Sequence, residues 1–151
     1  ALQLLMVGDG DQKAEALQLV QQLNIEKSVI FLPFRQDVPD VLAAADIFIL
    51  PSLWEGLPIG LLEAMSMGKT VIGTNVDGTS EVIEPNVNGL LLETEGLEEK
   101  LAEAILMLAA DENMRKNFQL NAKKTVQDKF NAATMTRQIE NVYAGLLNKH
   151  Q

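Results

Sequence analysis

Residues 47–73 read Ile47-Phe48-Ile49-Leu50-Pro51-Ser52-Leu53-Trp54-Glu55-Gly56-Leu57-Pro58-Ile59-Gly60-Leu61-Leu62-Glu63-Ala64-Met65-Ser66-Met67-Gly68-Lys69-Thr70-Val71-Ile72-Gly73. Four consecutive apolar residues stop at Pro51. A second run of this kind, Thr70-Val71-Ile72-Gly73, follows Gly68. Between them Pro58 suits the first turn of a helix, where a missing N–H is no loss. Gly68 suits its end, where a left-handed residue closes the last turn. Continuous apolar runs, as opposed to alternating ones, mark strands buried on both faces. Strand, loop, helix and strand in this order form the βαβ unit of a parallel sheet.

The same grammar extends in both directions. Upstream, Leu2 to Val7 reads as a strand ending at Gly8, and Val29 to Leu32 as one stopped by Pro33. Ala16, Leu19, Val20 and Leu23 repeat at helix spacing between them, and Val38, Val41, Leu42 and Ala45 do so after them. Downstream, Thr79 to Ile83 is a short helix and Leu90-Leu91-Leu92 a fifth strand. Three helical faces follow: Leu97, Leu101, Ala104, Ile105 and Leu108; Met114, Phe118, Ala122 and Val126; Met135, Ile139, Val142, Tyr143 and Leu146. Each is expected to pack into the core. The fold class is α/β: a Rossmann-like or flavodoxin-like parallel sheet of about five strands, helices on both faces, and added C-terminal helices. No linker interrupts it, so residues 1–151 read as a single domain.

Composition removes several functions. Acids outnumber bases 21 to 12, for a net charge of -9, whereas nucleic-acid binding needs clustered Lys and Arg to displace counterions. The chain has no Cys, which excludes disulfides and thiolate metal sites. Its single His150 lies next to the last residue, a poor place for a catalytic triad. No apolar run approaches the ~20 residues of a spanning helix, and none reads as a signal peptide. A cytoplasmic location is expected, with any membrane attachment of a parent enzyme peripheral.

In open parallel sheets, ligands bind beyond the carboxyl ends of the strands. Three loops there stand out: Gly8-Asp9-Gly10-Asp11, Pro51 to Leu57, and Asn75 to Glu81. The helix after the second loop is apolar nearly all round and is expected to be buried, yet it carries Glu63. A buried carboxylate is costly unless paired or hydrogen-bonded. It either caps a loop amide or pairs with an Arg, or it accepts bonds from two adjacent ligand hydroxyls. Glu55 precedes it in the loop. The amides of Leu57, Ile59 and Gly60 open the helix, a natural anion site. Together these groups suit a ligand with sugar hydroxyls at one end, phosphates in the middle and a ribose at the other.

The stretch from Pro51 to Gly68 resembles the signature of glycosyltransferase family 4, two glutamates separated by seven residues, here Glu55 and Glu63. Val7-Gly8-Asp9-Gly10, Val71 to Gly78 with Glu81, and Asn88-Gly89-Leu90-Leu91 extend the resemblance over nearly the whole chain. It implies the donor-binding domain of a GT-B enzyme that transfers sugar from a nucleotide with retention and without a catalytic metal or other cofactor. By that resemblance Glu55, Gly56, Leu57, Ile59 and Gly60 hold the donor sugar or phosphate, and Glu63 the ribose. Phe34 and Arg35 lie where the base binds, although Pro33 stands where the family commonly has Gly. The expected partner is a nucleotide sugar such as a UDP- or GDP-sugar.

The resemblance also marks two absences: the acceptor-binding N-terminal domain, and the first βα unit of the donor domain with its basic residues. The isolated chain is therefore expected to be inactive by itself. Arg35, Lys13 and Lys69 remain as cations for a diphosphate. The family's sheet order is 3-2-1-4-5-6, and the absent strand lies in its middle. Closure of the gap by pairing Leu2–Val7 with Ile47–Leu50 gives the order 2-1-3-4-5. Asp9-Gly10-Asp11 matches a metal-binding Asp-x-Asp but reads as a turn. Trp54 is expected to cover the edge of the core in preference to stacking on a base. The acids from Glu93 to Glu99 suit a helix start. Two other functions compete: a non-catalytic binding or scaffold module that keeps the motif, and a glycosidase using Glu55 and Glu63 as its carboxylate pair.

Overall fold

The computed structural model describes residues 2–148 and divides the chain into two compact units, 1–38 and 39–151. His150 lies outside the described residues. The first unit is a βαβ element: β1 (Leu4–Val7), α1 (Lys13–Gln22), a single 3-10 turn (Glu26–Ser28) and β2 (Val29–Leu32). The two strands pair in parallel, from Leu4 opposite Val29 to Val7 opposite Leu32. No described residue of this unit is fully buried.

The second unit begins within α2 (Val38–Ala43) and continues through β3 (Ile47–Leu50), α3 (Ile59–Ser66), β4 (Thr70–Thr74), α4 (Asp77–Val82) and β5 (Leu90–Leu92). Three long helices follow: α5 (Leu97–Ala110), α6 (Glu112–Lys129) and α7 (Ala132–Asn148). The parallel sheet runs β3-β4-β5, with Ile47 opposite Thr70 and Ile72 opposite Leu90. β4 lies in the centre, and all five of its residues are buried. On one face Ile72, Leu90, Ala104, Leu108 and Phe118 form the main core, with Ile47, Ile49 and Leu92 packed against it. On the other face Gly73 lies under Thr79 and Ile83, where a Cβ would come within 2.5 Å of the Thr79 methyl.

Strand and helix positions agree with the sequence to within a few residues, because glycine and proline punctuate each run. Gly68 takes a left-handed φ of 68°. Beside it the amides of Gly68 and Lys69 donate to the carbonyls of Met65 and Ala64 and close α3. Asp111 caps α6 by accepting the Met114 amide at 2.9 Å. Glu98 and Glu99 occupy the first turn of α5 as expected.

Three expectations need correction. The α/β class with parallel strands holds, but the strands pair as β1-β2 and β3-β4-β5, and the expected pairing of Leu2–Val7 with Ile47–Leu50 is not among these ladders. The expected closure assumed that an open edge is costly, but that penalty applies to backbone groups buried away from water. Leu4, Met6 and Val7 of β1 are all exposed. Second, α3 is buried on one face only, through Leu61, Ala64 and Met65. Ile59, Gly60, Glu63 and Met67 lie on its open side. Third, Met135, Ile139, Val142, Tyr143 and Leu146 of α7 are exposed, not packed into the core. Helical periodicity shows that a face is apolar and leaves open what covers it.

Candidate functional site

The loop from Pro51 to Leu57 leaves the carboxyl end of β3 and enters α3 at Pro58, whose carbonyl accepts the amides of Leu61 and Leu62 at 3.1 Å. Pro58 is buried, whereas Leu57, Ile59 and Gly60 are exposed. Among the described residues, the amides of Leu57, Ile59 and Gly60 donate to no backbone carbonyl or side chain. Together they present unpaired donors at the positive end of the helix. Glu63 lies one turn further along the same open side.

Glu63 is therefore exposed, and the buried carboxylate expected from sequence is not found. Its side chain has no hydrogen-bond or ion-pair partner among the described residues, so it neither caps a loop amide nor pairs with an Arg there. Sequence overestimated its burial because an apolar helix of eight residues does not show which of its sides lacks a neighbour.

Glu55 is held from three directions. The Ser52 hydroxyl donates to its Oε1 at 2.7 Å. The Gly78 amide, in the first turn of α4, donates to its carbonyl at 3.2 Å. The fully buried Thr74, last residue of β4, donates its hydroxyl to the Ser52 carbonyl. Gly78 also passes so close to the loop that a Cβ there would stand 1.5 Å from the Gly56 oxygen. Only a glycine permits this approach. Ser52, Thr74 and Gly78 were not picked out as site residues from sequence. The signal for Gly78 lay in the Asp77-Gly78 pair, and that for Ser52 in its spacing of three from Glu55.

A shallow cavity of about 420 Å³ is lined by Ser52, Leu53, Trp54, Glu55 and Gly56. Trp54 is 80% exposed, so it does not cover the core. A larger cavity of about 510 Å³, lined by Asn86, Asn113, Asn117 and Asn121 among others, borders the amino end of β5, away from these loops. Thr79 is buried beside Gly73, and its hydroxyl has no partner among the described residues.

In the first unit, Asp9 accepts the Phe34 amide at 3.0 Å and the Lys13 ammonium at 2.6 Å. The Lys13 hydrogen bond, followed by that from Phe34, holds the Asp9 carboxyl below its ordinary range. Asp9 thus ties the loop after β1 to the loop after β2, as a turn residue does. Phe34 is 71% exposed. Arg35 pairs with Asp37, Nε to Oδ1 at 2.7 Å, and lowers that carboxyl's pKa. Of the three cations expected near a diphosphate, Lys13 and Arg35 are thus engaged by acids. Lys69 donates to the Ala43 carbonyl at 3.1 Å and precedes β4, at the end of the sheet opposite these loops.

With this arrangement in view, comparison with known proteins is decisive. The glycosyl transferases group 1 family matches residues 1–125. The chain belongs to this family. The N-acetyl-alpha-D-glucosaminyl L-malate synthase of Bacillus anthracis is 37% identical over 144 residues, 95% of this chain and 38% of that protein. The structure is similar to Anabaena Alr3699/HepE in complex with UDP and glucose, with TM-score 0.87 and 30% identity over 95% of this chain and 40% of that one. It is also similar to the C-terminal domain of the group 1 protein LpcC from Francisella tularensis, with TM-score 0.73 and 30% identity over 81% of this chain and 64% of that one. The chain thus spans about two-fifths of the length of the first two relatives. Its fold is that of the GT-B C-terminal domain. No helix among the described residues is long and apolar enough to cross a membrane.

Proposed function

We propose that this domain binds the nucleotide-sugar donor of a retaining, metal-independent group 1 glycosyltransferase and supplies the donor half of the active site. The observation that carries the reading is the start of α3. Unpaired amides at Leu57, Ile59 and Gly60 lie between the fixed loop carboxylate Glu55 and the unpartnered, solvent-facing Glu63. A ligand with hydroxyls at both ends and phosphate between them satisfies all three features.

In this reading Glu55 accepts a hydroxyl of the transferred sugar, with Gly56 leaving the backbone open beside it. The amides hold phosphate oxygens without a metal, by the dipole and by direct donation. Glu63 accepts the ribose hydroxyls, a role supported by its accessibility and by the absence of a competing partner for its carboxylate among the described residues. UDP and glucose bound to HepE support a UDP-sugar as the first donor to try. The transfer reaction itself belongs to the whole enzyme, in which an acceptor-binding lobe completes the site.

Calorimetric titration of this chain with UDP-glucose, GDP-mannose and the free diphosphates tests the reading. The expected result is saturable binding of one nucleotide sugar, with Glu55→Ala weakening the nucleotide sugar and leaving the free diphosphate nearly unchanged. Absence of heat with every ligand, and no protection of the 55–63 segment from hydrogen exchange, would favour a scaffold that merely keeps the motif.

A further inference from the structure

We infer that Ser52 is a positioning residue for the donor sugar, acting through Glu55; this rests on the donor-binding reading above. A glutamate in an exposed loop has three side-chain torsions and loses considerable entropy when fixed. Glu55 has already lost that freedom. Ser52 Oγ donates to Oε1 at 2.7 Å, which sets the plane of the carboxylate and leaves Oε2 to accept from a ligand. Ser52 is itself fixed from the sheet, because the hydroxyl of the buried Thr74 donates to its carbonyl. The Gly78 amide fixes the other end of Glu55 through its carbonyl. The chain of contacts runs from the most buried strand of the molecule to one carboxylate oxygen. It defines a direction for the bond that Glu55 makes, and so which sugar hydroxyl it selects. The serine hydroxyl touches no ligand in this scheme. Its part is preorganisation, which shifts affinity by lowering the ordering penalty on binding.

The consequence is selective. Loss of the Ser52 hydroxyl frees the carboxylate but leaves the amides at the start of α3 in place. Binding of UDP-glucose therefore suffers, and binding of UDP does not. Trp54 is the only tryptophan and lies two residues from Ser52, so its fluorescence reports on the loop directly. Wild-type chain, Ser52→Ala and Ser52→Thr are titrated separately with UDP-glucose and UDP. Ser52→Ala is expected to weaken UDP-glucose roughly tenfold, on the scale of one charge-assisted hydrogen bond, with UDP unchanged and with Ser52→Thr restoring most of the loss. Equal losses for both ligands, or no loss for either, would overturn the inference.

A second measurement separates this inference from the reading it rests on. Exchange of the Gly78 amide, followed without ligand, is expected to quicken in Ser52→Ala and to stay at the wild-type rate in Ser52→Thr. If the wild-type chain binds none of the nucleotides, donor binding fails as a function, while a faster Gly78 amide in Ser52→Ala still supports Ser52 as the residue that orders Glu55. If nucleotides bind and Gly78 exchange is the same in all three chains, the donor reading stands and the role of Ser52 falls.

Discussion

Two of the chain's strand–helix–strand units, β1–α1–β2 and β3–α3–β4, hold together by different means. In β3–α3–β4, Leu61, Ala64, Met65 and Val71 are wholly withdrawn from water. In β1–α1–β2 no described residue is fully buried, and Leu17, Leu19 and Leu23 of the helix region are exposed. The helices differ in composition: α1 carries apolar residues on one face, whereas α3 is apolar nearly all round. They also differ in burial: α3 is covered by α6 and β4, whereas in α1 Ala16 and Val20 are half-buried and Leu17 and Leu19 exposed. An amphipathic pattern thus specifies a face, and tertiary context determines whether it becomes core. The first unit relies more on polar ties, of which the Asp9 clamp is the clearest.

The sharpest test of that contrast is a pair of truncations. Leu61→Ala removes a fully buried side chain and is expected to destabilise the second unit by about 2–5 kcal/mol, from lost transfer energy and the cavity left behind. Leu19→Ala, at a position 53% exposed, is expected to cost under about 1 kcal/mol. Denaturant unfolding measures both. Equal losses would mean that α1 is covered as fully as α3 in solution, and the contrast would disappear.

A second prediction concerns function on the open side of the well-packed unit. Glu63→Gln keeps the shape of the side chain and removes its charge. Donor affinity is expected to fall by about 1.5–3 kcal/mol, the scale of a hydrogen bond to a charged group. Stability is expected to stay within about 0.5 kcal/mol, as for surface positions without partners. A marked drop in melting temperature with normal donor affinity would show Glu63 to be a structural partner after all.

The third sets the tolerance of the loop. Gly78→Ala places a methyl group where the Gly56 carbonyl now lies, and both are backbone-bound, so one segment must move. A loss of about 1–3 kcal/mol in stability is expected from such overpacking, together with weaker nucleotide-sugar binding as Glu55 is displaced. A variant with unchanged Trp54 fluorescence and unchanged melting would mean that the 51–57 loop is free to shift, against the three-point hold on Glu55.

Much of this was legible in the residues alone. Ile47 to Leu50 and Val29 to Leu32 are strands as read, because each apolar run is stopped by a proline. Gly68 ends α3 by the left-handed turn that glycine favours. The loop at Glu55 and the open amides after it followed from the position of Pro58. What could not be read was whatever depends on neighbours distant in sequence. The exposure of Glu63 depends on which side of α3 meets α6. Trp54 protrudes into water although tryptophan is usually well buried, because the loop is anchored through Ser52, Glu55 and Gly56 and not through its ring. The strand order was misjudged because which strands pair is set by residues distant in sequence. None of these has a local sequence signature.

The smallest expected effect concerns the polar tie in the first unit. The folded-state pKa of Asp9 lies below its ordinary value of 3.8, first because of the Lys13 hydrogen bond and second because of the Phe34 amide. A carboxyl whose pKa is depressed on folding stabilises the fold above the unfolded value and loses that contribution as pH falls through the folded one. The clamp is therefore complete at neutral pH and is released only below about pH 3.8. Asp9→Asn keeps an oxygen that can accept the Phe34 amide and removes the charge that holds Lys13. Protection of the Phe34 amide from exchange, corrected for intrinsic pH dependence, is expected to be lower in Asp9→Asn than in wild type at pH 6. The two are expected to converge below pH 3.8, where wild-type Asp9 takes up its proton. The group is exposed to solvent and its charges are screened, so the difference is expected to shrink in high salt. A gap that stays constant from pH 6 to pH 3 would assign the tie to shape and not to charge. The first unit would then depend on packing after all, and the two strand–helix–strand units would differ less than their burial indicates.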